Sequence, residues 1–270
     1  MDAHPSIADH CAMHPRTVTA TRYVTPLREG GSLPAIIEAD DQGMYVLKFR
    51  GAGQGARALI AELVAGEIAR ALGLAVPEIV FVELDGDLAR TEPDAEIQQL
   101  IRASAGMNLA LDYLPGSLTF DPLVEKPDGD LASRIVWFDA YVSNVDRSAR
   151  NTNMLVWHRR LHLIDHGAAL YFHHAWDRHL ERSREPFGRI KDHVLLPFAT
   201  KLAEVDAAMA NRLTPQVLGA IVAGIPDGWL GGDAPFADAA QQRAAYLQYL
   251  TARLQSPRAF VSGAIDARNL

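Results

Sequence analysis

Two aspartates and an asparagine, Asp146, Asn151 and Asp165, are the side chains whose types and spacing best suit chemistry in this sequence. The first two lie in a polar loop, Asn144-Val145-Asp146-Arg147-Ser148-Ala149-Arg150-Asn151. Two short apolar runs follow, residues 153–157 and 161–164, split by a basic turn at His158-Arg159-Arg160. Asp165-His166-Gly167 closes the second run. Each run is strand-length and the turn is polar, which predicts a loop feeding a β-hairpin. The three side chains would then meet at one end of that hairpin. Two carboxylates and an amide oxygen suit a hard divalent cation such as Mg²⁺, which takes oxygen ligands and keeps waters and substrate phosphates around it. A carboxylate is also available as a base toward a hydroxyl. Either half alone is ordinary turn chemistry; the ordered pair, with a hairpin of the right length between, favours a site.

The elements that must position these groups fall into two halves. Residues 131–143, with Ile135, Val136, Phe138 and Tyr141, read as a helix leading straight into the loop. Upstream, residues 17–25, 33–38, 44–49, 77–84 and 107–114 read as strands. A tight glycine turn holds Gly30, Gly31 and Ser32; its unobstructed N–H groups could lie over phosphates, or it is a plain hairpin turn. Lys48 interrupts the apolar run 45–49 on the face of Val46, as an edge residue or as a buried charge with a partner. Residues 56–72 form an amphipathic helix through Leu59, Ile60, Leu63, Val64 and Ile68, stopped by Gly73 and Pro77. Glu62, beside that stripe, could reach Lys48; Glu67 is read as solvated. A short helix is expected over 92–104. Pro115-Gly116-Ser117 marks a boundary, and the rest reads as helical: 194–213 around Pro197, 216–223 opened by Thr214-Pro215, and 236–254 ending before Pro257. The expected class is α+β.

Bulk properties narrow the function. The 270 residues, 49% of them hydrophobic with mean hydropathy −0.03, allow one large domain or two lobes with an ample core. A net charge of −7 without a basic run argues against a nucleic-acid partner. Cys11 is the single cysteine, so neither an internal disulfide nor a cysteine-rich metal site is available. No apolar span of about 18 residues predicts a transmembrane helix. Residues 1–16 lack the apolar segment of a secretory signal and read as a disordered leader, with a cytoplasmic setting as the default.

Two rivals compete for the chemistry. Gly51-Ala52-Gly53-Gln54-Gly55-Ala56 matches G-x-G-x-x-A between a strand and a helix, as in a dinucleotide-binding oxidoreductase that would use Gly51, Gly53 and Ala56. Against it, the leading strand carries Lys48 and Arg50, and the second half lacks alternating strands and helices. The histidines His158, His162, His166, His173 and His174 raise a zinc site, but His162 and His166 need a helix to share a face and fall in a strand. No G-x-S-x-G occurs to suggest a serine hydrolase.

An aspartate followed by an asparagine, then a hairpin ending in Asp-x-Gly, is the order found in kinase catalytic loops. With Lys48 and Glu62 added, the set resembles the HipA-like kinases, in the branch related to the phosphatidylinositol 3-/4-kinase-like superfamily. The segments that carry the resemblance are residues 45–49, AELVAGEIARALGLAVPE (61–78), NVDRSARN (144–151) and LIDHG (163–167). It extends over most of the chain from about Arg16.

The resemblance implies a bilobal protein-kinase-like fold. Residues 17–114 would form an N-lobe of antiparallel sheet plus one main helix, and 115–270 a mostly helical C-lobe, with ATP between them. Lys48, held by Glu62, would contact the α/β-phosphates. Asp146 would be the catalytic aspartate, and Asn151 and Asp165 would bind Mg²⁺. Asp112-Tyr113-Leu114 would be the hinge that meets adenine, and Gly30-Gly31-Ser32 the glycine-rich turn. The implied activity is transfer of the γ-phosphate to a hydroxyl acceptor on a protein or small molecule. A silent pseudokinase that binds nucleotide or a partner is the alternative. Asn144-Val145-Asp146 stands where protein kinases have His-Arg-Asp, and Asp165-His166-Gly167 where they have Asp-Phe-Gly. No Ala-Pro-Glu follows, so activation-loop control is not implied.

Overall fold

Alternating burial along the first strand sets the architecture: Val18, Ala20 and Tyr23 turn inward while their neighbours stay exposed. The computed structural model describes residues 15–27, 33–232 and 234–270. The five strands β1 (Thr17–Pro26), β2 (Ala35–Ala39), β3 (Met44–Lys48), β4 (Ile79–Leu84) and β5 (Gly106–Asp112) close into a barrel in the order β1-β2-β3-β5-β4. The sheet is not wholly antiparallel as expected. Thr17, Val18 and Thr19 pair in parallel with Phe81, Val82 and Glu83, and this seam closes the barrel and removes its free edges. Ile37, Leu47, Val80, Val82 and Ala110 fill the interior. Two helices cover it. α1 (Ala56–Ala71) lies outside, in one core cluster with Ile79, Phe81 and Leu109. α2 (Ala95–Ala103), capped by Asp94 and shorter than expected, adds Ile97 and Ile101 to the interior cluster.

The second half is helical around one small sheet. β6 (Leu118–Thr119), β7 (Met154–Trp157) and β8 (Arg160–Leu163) form a three-stranded sheet after and before helix α3 (Gly129–Val142) in the chain. The hairpin stands where the apolar runs placed it, but its turn is only His158 and Arg159, both at positive φ (47° and 62°), and Arg160 already pairs with Trp157. That is the backbone of a two-residue primed turn. β6 has no sequence signature; its two residues pair with Val156 and Leu155. After the hairpin come α4 (His179–Arg182), α5 (Leu202–Arg212), α6 (Pro215–Ala223), α7 (Ala239–Arg253) and α8 (Ala259–Arg268). Thr214 caps α6 as expected, accepting from the Val217 N–H at 3.3 Å. α7 starts later than expected because Asp238 caps it, and α8 forms beyond Pro257. Among the described residues no helix is long and apolar enough to cross a membrane.

Two arginines join the halves through a backbone carbonyl, and a third ties together the second half. Arg134 and Arg212 both donate to Leu72 O at the end of α1, at 2.8 and 2.9 Å, where the helix dipole favours cations. Arg253 of α7 donates to the carbonyls of Ala140 and Tyr141 at the end of α3, and to those of Ser183 and Glu185. The guanidinium lies against the Phe260 ring, 5.1 Å from its centre.

Candidate active site

The polar loop starts where α3 is forced to stop. Ser143 adopts a left-handed conformation (φ 54°), and the Asn144 N–H turns back to Asp139 O at 2.9 Å. Asp146 is then fixed from several sides. Its N–H donates to Asn144 Oδ1 (3.2 Å), and its carbonyl accepts from Asn153 Nδ2 (2.8 Å). Its Oδ2 accepts from Asn151 Nδ2 at 3.0 Å and from Asn153 Nδ2 at 3.3 Å. Asn153 O in turn accepts from the Ile164 N–H (3.0 Å), so the loop is tied to the strand end that presents Asp165. Asp165 has a left-handed backbone (φ 55°), which Asp and Asn tolerate better than most residues.

Lys48 meets this end of the hairpin from the barrel. Tyr45 and Leu47 of β3 point inward, which leaves Val46 and Lys48 on the other face. Lys48 Nζ donates to Asp165 Oδ1 at 2.6 Å and lies 3.8 Å from Glu62 Oε2. The Lys48 and Glu62 side chains are 12% and 2% exposed, whereas Asp165 is 42% exposed. Burial alone would push the Lys48 ammonium down, but Glu62 and then Asp165 outweigh it and raise it. Burial likewise opposes ionisation of Glu62, yet Lys48 and then His166 hold that carboxyl at about 2. The fully buried His166 ring places Nδ1 3.4 Å from Glu62 Oε1 and its edge against Phe138. Glu67 is not the solvated residue expected: it is 18% exposed and pairs with Arg70 at 3.2 Å.

The donor set fits a magnesium–nucleotide pair. Asp165 uses Oδ1 on Lys48, and Asn151 uses Nδ2 on Asp146. Asp165 Oδ2 and Asn151 Oδ1 keep lone pairs for a hard cation, and a cation that retains waters and phosphate oxygens needs no larger cage. Among the described residues no three His, Cys, Asp or Glu side chains gather to hold a metal, which leaves the zinc reading without ligands. His173 is buried against Tyr246 Oη at 3.0 Å, and burial pushes its imidazole down to about 3.

The remaining expected residues are placed less directly. Asp112, Tyr113 and Leu114 leave the end of β5, but the Asp112 and Tyr113 N–H groups already donate to Glu78 O and Met44 O. Gly30, Gly31 and Ser32 lie outside the described residues. A cavity of about 110 Å³ adjoins the loop, lined by Asn144, Val145, Asp146, Arg189, Asp192 and His193 among others.

Sequence reasoning missed the groups that hold the loop. Asn153 grips Asp146, and its only signal is an asparagine at the start of an apolar run. Asp139 lies beneath the loop, fully buried, and accepts from Asn144, Arg147 and His193. Its signal is a lone acid on the apolar side of a helix, which calls for partners.

The dinucleotide reading is overturned. β3 and β4 flank α1 in sequence, but they are not adjacent: β5 lies between them, antiparallel to both. The Gly51 N–H donates to Ser104 Oγ (3.0 Å) and the Arg50 N–H to Asn108 Oδ1 (2.8 Å), so the loop is fastened to the α2–β5 corner. A sequence profile described as HipA-like kinase matches residues 21–260. The chain belongs to the HipA-like kinase family. No curated protein matches it significantly in sequence. Among solved structures it is similar to the Helicobacter pylori proinflammatory kinase CtkA, with TM-score 0.51 and 12% identity over 94% of this chain and 99% of that one. It is also similar to the Golgi casein kinase with Mn/ADP bound (TM-score 0.51, 12% identity, 97% of this chain and 75% of that one). A second Golgi casein kinase structure gives 0.50 and 11% over the same shares. These likenesses show a protein-kinase-like α+β fold, and the family makes phosphotransfer the class of chemistry.

Proposed function

We propose that this HipA-like kinase transfers the γ-phosphate of ATP to a hydroxyl acceptor, a protein Ser/Thr or a small molecule, with Mg²⁺. The observation that carries the reading is Lys48 held between buried Glu62 and half-exposed Asp165, whose neighbour Ile164 is tied through Asn153 to Asp146 and its partner Asn151. Lys48 would neutralise α/β-phosphate charge while Glu62 fixes its position. Asp146, oriented by Asn151 and Asn153, would accept the proton of the acceptor hydroxyl. Asn151 Oδ1 and Asp165 Oδ2 would hold Mg²⁺, which when bound neutralises charge on the phosphate oxygens. The Mn/ADP state of the Golgi casein kinase supports a nucleotide–metal pair on this fold. Since the Asp112 and Tyr113 amides are already paired, adenine would turn to the Leu114 backbone. Gly30, Gly31 and Ser32 would cover the phosphates, between an N-lobe of 17–114 and a C-lobe of 115–270. A cytoplasmic setting, where ATP is plentiful, goes with this reading.

The test is thermal unfolding with ATP, with ATP plus Mg²⁺, and with NAD, followed by ADP release from Mg–ATP. A ligand that binds the native state raises the midpoint by mass action. The expected result is a shift that needs both ATP and Mg²⁺, with ADP released. A shift with NAD alone, or none with Mg–ATP, would overturn the reading. Binding without ADP release would leave a nucleotide-binding module.

A further inference from the structure

Two of the neighbours that aim Asp146, Asn144 and Asn153, lead back to one buried carboxylate. Asp139 Oδ1 accepts from Asn144 Nδ2 at 2.9 Å. Its Oδ2 accepts from Arg147 Nε at 2.6 Å and from His193 Nε2 at 2.9 Å. Asn144 and Arg147 bracket Asp146 closely in sequence. Asn144 Oδ1 takes the Asp146 N–H, and Arg147 Nη1 donates to Asn153 O, whose side chain grips Asp146.

His193 is the distant member of this network. The Leu195 N–H donates to its Nδ1 at 3.0 Å, so the proton sits on Nε2 and faces Asp139. Two further ties join the same segment to the loop. The Val194 N–H donates to Arg147 O (3.1 Å), and Ser148 and His193 form an antiparallel bridge. The segment is itself anchored: Ile190, Leu195 and Leu196 are buried in the main core. Asp139 and Arg147 side chains are wholly buried, and a buried carboxylate missing one of its donors would re-pair by moving the loop.

We propose that His193 is a positioning residue for phosphotransfer. Through Asp139 it fixes the loop 144–151, and thereby the direction in which Asp146 presents its carboxylate. Burial opposes a charged Asp139, yet Arg147 and His193 hold its carboxyl well below the usual range, so the network is anionic at its centre. The proposal rests on the reading that Asp146 faces the acceptor. Lys48 and Glu62 lie outside the network, whereas Asn151 sits in the loop it holds, so metal-free nucleotide binding and transfer should separate.

The experiment compares wild type with His193→Leu and His193→Gln, whose terminal amide can reach the place of Nε2. Three quantities are read: affinity for ADP without Mg²⁺ by calorimetry, the turnover of Mg–ATP as ADP release with water as acceptor, and amide hydrogen exchange. His193→Leu should lower kcat by roughly 10- to 100-fold. Its affinity for ADP without Mg²⁺, which rests on Lys48 and not on Asn151, should stay unchanged, and faster exchange should be confined to residues 144–153. His193→Gln should recover most of both changes. Unaltered kcat in folded His193→Leu would overturn the proposal. So would a joint fall of kcat and nucleotide affinity with exchange rising throughout the chain. If wild type releases no ADP, the kinase reading fails, and the exchange arm decides alone: unchanged protection over 144–153 in His193→Leu sinks the positioning role.

Discussion

Replacing Glu62 by Gln removes one charge from the centre of the site and almost no volume. Glu62 is 1% exposed, and its Oε2 lies 3.8 Å from Lys48 Nζ. At an effective dielectric constant of about 20, that separation is worth about 4 kcal/mol before desolvation. Proton linkage gives a second figure. The carboxyl sits at about 2 instead of 4.5, and at about 1.4 kcal/mol per pH unit the difference amounts to about 3 kcal/mol. Lys48 keeps Asp165 at 2.6 Å, so the variant strands no lone cation. The expected loss is therefore about 3 kcal/mol, the lower end for a broken buried pair. The folded value lies below the unfolded one, so this stability is present in full above 4.5 and is lost as pH falls from there toward 2. Urea unfolding of both proteins between about pH 7 and about pH 3 measures it; the gap should narrow to roughly half at the acid end. A gap under about 1 kcal/mol at neutral pH, as for a surface pair, would refute the reasoning. An equal gap at both ends would do the same.

Asp165→Asn should abolish the Mg²⁺-dependent part of the ATP-induced thermal shift while the unliganded protein melts as wild type, since Asn accepts the same backbone; an unchanged Mg–ATP shift would remove Asp165 from the metal site. Arg253→Lys should cost about 3 kcal/mol or more, because an ammonium cannot fork to the carbonyls of Ala140, Tyr141, Ser183 and Glu185 at once. A melting temperature equal to wild type would count against that hub. Gly66→Ala would set a Cβ 2.5 Å from Ile79 Cδ1 in a filled core, at a cost of about 1–3 kcal/mol. Adding Ile79→Val, which deletes that methyl, should recover part of the loss in urea unfolding, and additive losses would place the strain elsewhere.

The candidate site was legible as a grouping of side chains because the chemistry proposed for it restricts their types. Only an amine on a strand, an acid on the following helix and an Asp–Asn–Asp order around a hairpin make the combination, and the structure brings Lys48, Glu62 and Asp165 together across 117 residues of sequence between the first and last. Helix α1 was legible for a related reason. Its apolar stripe is continuous, and Gly73 gives it a stop. The barrel seam was not, because the alternation along β1 says which face is inward and nothing about which strand lies beside it. β6 was invisible at two residues, too short for any period to show.

The scaffold of the loop escaped for a deeper reason. Asp139 needs donors at two oxygens in a dry place, and nothing in that need says which residue supplies them. One donor stands 8 residues away and another 54, and the arginine that closes the end of α3 is 112 residues from the carbonyl it holds. An amide, an imidazole or a guanidinium would each satisfy a carbonyl or carboxylate if the fold delivered it there. Residues that meet phosphate and metal are constrained by reaction chemistry, which spacing can reveal. Residues that aim them are constrained by position, which only the folded chain defines. The Asp139 network should therefore be where variation changes turnover while leaving the Lys48 contact to nucleotide intact, because it reaches the proposed chemistry only through the placement of the loop that carries Asp146 and Asn151.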